Sequence, residues 1–182
     1  MELKLQNHLP VFWMTGLSGS GKTSIAESLA HRVREMGIGV QILDGDALRS
    51  GINSDLGFSM EDRKENVRRT AEIARLMSDA GIFVIVSLIS PTKEMRNMAR
   101  KIIGIEKFRE IFIDAPIEIC EMRDVKGLYK KARKNASNDF TGIGSPYEKP
   151  SDPDLLIDTA GQTLEESLDW IYNYFCSFTI RQ

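Results

Sequence analysis

Residues Gly16-Leu17-Ser18-Gly19-Ser20-Gly21-Lys22-Thr23 satisfy the pattern G-x-x-x-x-G-K-[ST] at every fixed position. An apolar, β-branched run at 11–15 precedes the loop, and a helical pattern follows it. That order of strand, tight loop and helix is what the pattern needs to work. The glycines allow backbone N–H groups to turn inward around phosphate oxygens, and the helix N-terminus adds a partial positive charge. Lys22 suits the bridge between β- and γ-phosphates, and the Thr23 hydroxyl suits Mg²⁺. The loop therefore implies binding of a nucleoside triphosphate. It does not by itself separate a GTPase, an ATPase and a kinase.

The rest of the pattern fits the architecture that such a loop demands. Short apolar runs at 11–15, 40–43, 83–89, 111–113 and 155–157 barely alternate, as expected of strands buried on both faces. Helical stripes lie between them. Residues 22–36 align Ile25, Leu29, Val33 and Met36, with Gly37 as a stop. Ser59 with Asp62 opens a second helix that Gly81 ends, Pro91 suits the first turn of a third, and Pro116 opens a short one. Thr163 with Glu166 caps a last helix with the stripe Leu164, Leu168, Ile171 and Phe175. Strands alternating with helices predict a three-layer α/β sandwich around a mainly parallel, doubly wound sheet. With 182 residues, the chain fits one domain spanning 1–182. Residues 135–153 are irregular and rich in Gly and Pro, which suits a functional loop.

Composition narrows the partners. The net charge of -2 gives no global support for nucleic-acid binding. No apolar run approaches the ~20 residues of a membrane span, and no basic stretch followed by a long apolar one opens the chain, so a cytoplasmic location is expected. Cys120 and Cys176 are too few for a disulfide framework. The charge is unevenly spread, however. Arg123, Lys126, Lys130, Lys131, Arg133 and Lys134 face only Asp124 between 122 and 134, which makes that segment +5 and the remainder -7. Such a run is either a solvated helix face or an arm that closes over polyphosphate.

The run at 40–43 leads into Asp44-Gly45-Asp46. Ligands of open α/β sheets bind beyond the carboxyl ends of strands, where an acid can accept a proton from an attacking hydroxyl or hold Mg²⁺. One of the two acids could simply fix the turn; Asp46 is the favoured functional one. The third run ends in Ser90-Pro91 rather than Asp-x-x-Gly, and no Asn-Lys-x-Asp segment follows. Both features point away from a GTPase and toward a small-molecule kinase.

The ordered set of Trp13–Lys22, Leu43–Asp46 with Arg49, Asp55–Ser59, Asp62–Arg69, Ile89–Pro91, Arg123–Arg133 and Phe140–Glu148 resembles the adenylylsulfate (APS) kinase family of P-loop kinases. The resemblance covers roughly 11–160 and implies ATP-dependent phosphorylation of the 3′-hydroxyl of adenosine 5′-phosphosulfate, with ATP and Mg²⁺ required. It implies that Gly16, Leu17, Ser18, Gly19, Ser20, Gly21, Lys22, Thr23, Ser24 and Arg123 hold ATP. Thr23 and Asp46 would serve the metal, and Lys22, Asp46 and Ser90 the chemistry. Asp46, Arg49, Phe58, Arg63, Asn66, Ile89, Ser90, Lys126, Leu128 and Phe140 would line the acceptor pocket, with Phe58 and Phe140 sandwiching adenine. Ser90 is read either as a pocket residue with a possible catalytic role or as the N-cap of the next helix. The resemblance further implies a lid at about 122–150 and a homodimer.

The sequence departs from the family at the acceptor side: Ser50 stands where His is common, Thr92-Lys93 where an aromatic residue and Arg are usual, and Gly144 where Asp is usual. A kinase of another nucleotide-linked anhydride, such as cytidine diphosphoramidate in surface-polysaccharide synthesis, is therefore the alternative. A non-catalytic nucleotide switch is the third reading, and the presence of both Lys22 and Asp46 counts against it.

Overall fold

A computed structural model describes residues 9–134 and 140–179. Five parallel strands form one sheet in the order β2-β3-β1-β4-β5. They are β1 (Val11–Thr15), β2 (Val40–Asp44), β3 (Phe83–Ser87), β4 (Phe108–Asp114) and β5 (Leu155–Asp158). The helices are α1 (Lys22–Glu35), α2 (Gly45–Ser50), α3 (Met60–Asp79), α4 (Lys93–Ile103), α5 (Ile117–Arg123), α6 (Leu128–Lys134) and α7 (Leu164–Thr179). The expected α/β sandwich is thus present, with every strand pairing parallel.

Central β1 is wholly buried and divides its side chains between two cores. Phe12 and Met14 pack with Phe83, Ile85, Ile111 and Ile113 beneath α1 and α7. Val11 and Trp13 pack with Val84, Val86 and Phe108 beneath α3 and α4. Because successive strand side chains point to opposite faces, an apolar run with no alternation is what a doubly covered strand requires. In the first core Phe83 meets Phe175 of α7 with ring centroids 4.5 Å apart, and the edge of Phe12 at 5.0 Å.

Several boundaries differ from the sequence expectation, each for a local reason. β3 stops at Ser87, because the next residues leave the sheet and Ser90 adopts φ 39°. β4 begins at Phe108; Arg109 and Glu110 are polar but sit inside the strand, Glu110 being ion-paired beneath α4 with Arg96. Pro91 does not enter α4. Thr92 is its N-cap, its Oγ accepting from the Met95 N–H at 3.3 Å, so the N-cap reading of Ser90 is corrected. Asp44-Gly45-Asp46 read as a turn, yet it opens helix α2, with Asp44 as N-cap. The expected cap of α7 is present: Glu166 accepts from the Thr163 N–H and hydroxyl, both at 2.8 Å. Within the irregular stretch 135–153, residues 135–139 lie outside those described, and the remainder contains one isolated bridge between Thr141 and Ser145. Both cysteines are free. Among the described residues no helix is long and apolar enough to cross a membrane.

Phe175 is fully buried between α7 and the sheet. Phe175→Ala is expected to cost about 3–5 kcal/mol of stability through lost burial and a residual cavity. Urea unfolding followed by circular dichroism measures this, and a loss below about 1 kcal/mol would show that α7 is peripheral to the core.

Candidate active site

The carboxyl ends of β1, β2 and β3 and the start of α1 open into one cavity of about 910 Å³. The phosphate loop forms one side. Gly16 has φ 151°, and a Cβ there would lie 2.3 Å from the Ile113 carbonyl oxygen, so the loop passes over β4 with no room for a side chain. Gly19 has φ 77°, and its Cβ would lie 2.9 Å from the Cys120 carbonyl. Two glycines are therefore required by contact as well as by backbone angle.

Lys22 is buried, and its ammonium donates to the carbonyls of Gly16 at 2.9 Å and Leu17 at 2.7 Å. Burial lowers its pKa to about 8, partly offset by Cys120 and Asp44 nearby. Desolvation penalises the ammonium, and among the described residues no carboxylate touches it. Thr23 donates its hydroxyl to Asp44 Oδ2 at 3.0 Å, beside Ser87 Oγ at 3.5 Å. Asp44 meanwhile accepts from the Asp46 N–H at 3.0 Å, which caps α2. Thr23 and Asp44 make a hydroxyl-carboxylate pair at the mouth of the loop. Mg²⁺ commonly takes one or two such ligands together with substrate phosphates, and among the described residues there is no acidic cluster that would hold it alone.

The acid pair thus divides its work. Asp44 is spent on Thr23 and the helix cap, whereas Asp46 points its carboxylate to the Lys126 ammonium, which crosses from the cationic segment. This bond raises the Lys126 pKa. Arg123 from the same segment binds backwards onto the cradle, donating to the Gly19 carbonyl at 3.3 Å and the Thr159 carbonyl at 2.5 Å. Tyr129 of α6 donates its hydroxyl to the Ser18 carbonyl at 2.8 Å. The segment at 122–134 is therefore tied to the phosphate loop at two points.

On the far side, Arg49 sits over the Phe58 ring at 4.5 Å and donates to the Gly57 carbonyl at 2.6 Å. Phe58 itself is 61% exposed, which is unusual for a large aromatic side chain and suits a stacking plate. Arg63 is buried, donating to the Phe58 carbonyl at 2.8 Å and the Thr141 hydroxyl at 2.5 Å. Asn66 accepts from Asn53 Nδ2 at 2.9 Å. Phe140 meets Tyr129 edge to face at 4.8 Å. Ser90 Oγ accepts from the Trp13 indole N–H at 3.0 Å.

Ser18, Gly19, Gly21, Lys22, Thr23, Ser24, Asp46, Arg49, Phe58, Arg63, Asn66, Ile89, Ser90, Arg123, Lys126, Leu128 and Phe140 all line this cavity. Gly16, Leu17 and Ser20 do not. Gly16 contributes through its carbonyl to Lys22, Leu17 faces a second hollow beside Gly142, and Ser20 is fully buried beneath the loop. Tyr129, Thr159 and Gln162 line the cavity without having been singled out from sequence, and Asp44, weighed there against Asp46, lines it too. Thr159 follows directly on β5, so the rule that ligands sit at strand carboxyl ends was signal enough to suspect it.

A phosphate loop, a hydroxyl-carboxylate pair beside it and a second acid across the same cavity define a P-loop kinase. Residues 9–158 match the family described as adenylylsulphate kinase. An adenylyl-sulfate kinase of Clostridium acetobutylicum is 52% identical over 173 residues, covering 95% of this chain and 86% of that protein. One from Phocaeicola vulgatus is 54% identical over 159 residues, covering 87% and 78%. The solved Mycobacterium tuberculosis APS kinase CysC, in complex with AMPPNP and APS, superposes with TM-score 0.89 at 44% identity, covering 93% of this chain and 98% of that one. The chain belongs to the adenylylsulphate kinase family. Its donor is ATP, used with Mg²⁺.

The buried Lys22 gives a titration to measure. A bound phosphate anion raises its pKa from about 8, so nucleotide binding above that pH draws in a proton. Above that pH ADP binding is expected to take up part of a proton, and progressively less as the pH falls toward about 7. Calorimetry in buffers of different ionisation enthalpy reads the uptake. Lys22→Arg stays charged throughout and should abolish it; persistence in that variant would assign the proton elsewhere.

Proposed function

We propose that this chain transfers the γ-phosphoryl group of ATP to the 3′-hydroxyl of adenosine 5′-phosphosulfate, with the roles divided as follows. The observation that carries the assignment is the opening of the phosphate cradle, Asp46 and two aromatic plates into a single cavity. Lys22 leaves its loop carbonyls for the β- and γ-phosphates. Thr23 and Asp44 would hold Mg²⁺, which would supply positive charge to offset that of the nucleotide phosphates. In this proposal Asp44 takes the metal-binding part that the family resemblance gave to Asp46.

Phe58 and Phe140 stack on the acceptor adenine, while Arg49, Arg63 and Asn66 meet its ribose and anhydride oxygens. Asp46 accepts the proton of the 3′-hydroxyl as that oxygen attacks the γ-phosphorus and the bond to ADP breaks. Its pairing with Lys126 has to open first, and the incoming anions supply Lys126 with alternative partners. Within the lid expected at about 122–150, the cationic part at 122–134 closes over the phosphates and keeps water from competing for the phosphoryl group, while the part from Phe140 onward belongs to the acceptor wall. Ser90 positions the acceptor rather than carrying phosphate. Its oxygen already accepts the Trp13 N–H, so it offers its proton to the cavity. Nucleophilic attack would instead need a base at that oxygen.

The same proposal covers the whole chain as one kinase unit, since α7, beyond the family match, packs into the core through Leu168, Ile171 and Phe175. A homodimer follows from the family resemblance alone, and light scattering checks it; the cytoplasmic location remains the expectation from composition.

Asp46→Asn is expected to lower kcat by about 10²- to 10⁴-fold, the range for loss of a proton acceptor. Ser90→Ala is expected to keep kcat within about tenfold and to raise the acceptor KM, as loss of one hydrogen bond would. ADP release assayed with adenosine 5′-phosphosulfate and with a cytidine-based anhydride side by side tests both variants and the acceptor. Turnover only with the cytidine compound would overturn the acceptor, and complete loss in Ser90→Ala would return the serine to the chemistry.

A further inference from the structure

Two stretches distant in sequence form the acceptor wall of the cavity. One is the turn after β3, with Ile89, Ser90 and Pro91; the other carries Phe140 and Thr141. A single seam joins them at Glu148. The Glu148 N–H donates to the Pro91 carbonyl at 2.8 Å, and its Oε2 accepts from the Lys93 N–H at 2.6 Å. That second bond places a carboxylate on the first turn of α4, where backbone donors and the helix dipole favour negative charge.

Arg96 bolts the seam from beneath. It is 3% exposed and donates to the carbonyls of Ser90 at 2.9 Å and Glu148 at 2.8 Å. Its Nε lies 2.6 Å from Glu110 Oε1, an ion pair too far off line to be a hydrogen bond. The planar guanidinium thus reaches three different elements at once from one rigid fork.

The seam holds strained geometry. Ser90 has φ 39°, a conformation that non-glycine residues adopt only where their surroundings fix them. Trp13 holds its hydroxyl and Arg96 its carbonyl. On the other stretch, Ser145 donates to the Phe140 carbonyl at 3.1 Å and accepts from the Gly142 N–H at 2.7 Å. Phe140 is therefore tied to Ser145, three residues from Glu148.

We propose that Glu148 is a positioning residue for the acceptor: through the Lys93 and Pro91 backbone it keeps the Ser90 turn and the Phe140 stretch in register. Its side chain is exposed and does not line the cavity, so it acts through those two elements. The proposal rests on the assignment of Ser90 and Phe140 to the acceptor.

Glu148→Ala is expected to raise the acceptor KM roughly tenfold or more, the usual weight of a charged hydrogen bond, with kcat within about twofold and ADP affinity by calorimetry unchanged. Glu148→Gln keeps an oxygen for the Lys93 N–H and should restore the acceptor KM. Failure of that rescue, or a matching loss of ADP affinity in Glu148→Ala, would overturn the positioning role. Phe140→Ala in the same assay separates the two layers. A raised acceptor KM there with an unchanged one in Glu148→Ala overturns the role of Glu148 alone. An unchanged KM in Phe140→Ala overturns the acceptor assignment and this proposal with it.

Discussion

A buried lysine bonded to the carbonyls of its own loop is the constraint around which this molecule is arranged. Among the described residues Lys22 has no carboxylate in contact, and burial has already weakened its hold on the proton. The arrangement is bearable because Gly16 and Leu17 supply two oxygens and because the loop cannot collapse onto β4 without displacing the Ile113 carbonyl. In the proposed role an ammonium held this way would exchange two neutral acceptors for phosphate oxygens, with much of its desolvation met beforehand. Two neighbouring parts of the site are attached to that loop. Arg123 and Tyr129 fasten the cationic segment to it, and Thr23 links it to the Asp44 cap of α2.

The sheet explains why these parts meet. With β1 central and β3 and β4 beside it, the ends of neighbouring strands lie at one rim. The carboxyl ends of β1, β2 and β3 lead into the cradle, the acid pair and Ser90 in turn. Two packed cores on either face hold that rim rigid, which suits a reaction whose catalysis is mostly positioning and charge.

Much of this was legible in the sequence because it depends on local pattern. The phosphate loop has fixed spacing, the strands are apolar without alternation, and the caps of α3 and α7 use side chains close in the chain. What escaped depends on long-range contact. Asp44 and Asp46 are equivalent as text, and only the 3.0 Å approach of Thr23 tells them apart. Helix α2 was hidden because Asp-Gly-Asp is also good turn chemistry. Ser90 looked able to cap α4, but the indole of Trp13, seventy-seven residues away, claims its hydroxyl, and Thr92 caps instead. Nothing local in the sequence announces Arg96 and Glu110 as a buried pair.

The six basic residues of the segment at 122–134 are not equivalent in space. Arg123, Lys126 and Arg133 already have partners in Thr159, Asp46 and Glu121, whereas Lys130, Lys131 and Lys134 are exposed. An anion that engages the first set replaces an existing bond, and few condensed ions are liberated in the exchange. Nucleotide affinity should therefore weaken with ionic strength less steeply than a count of six cations would suggest, while the exposed three still speed encounter in dilute salt.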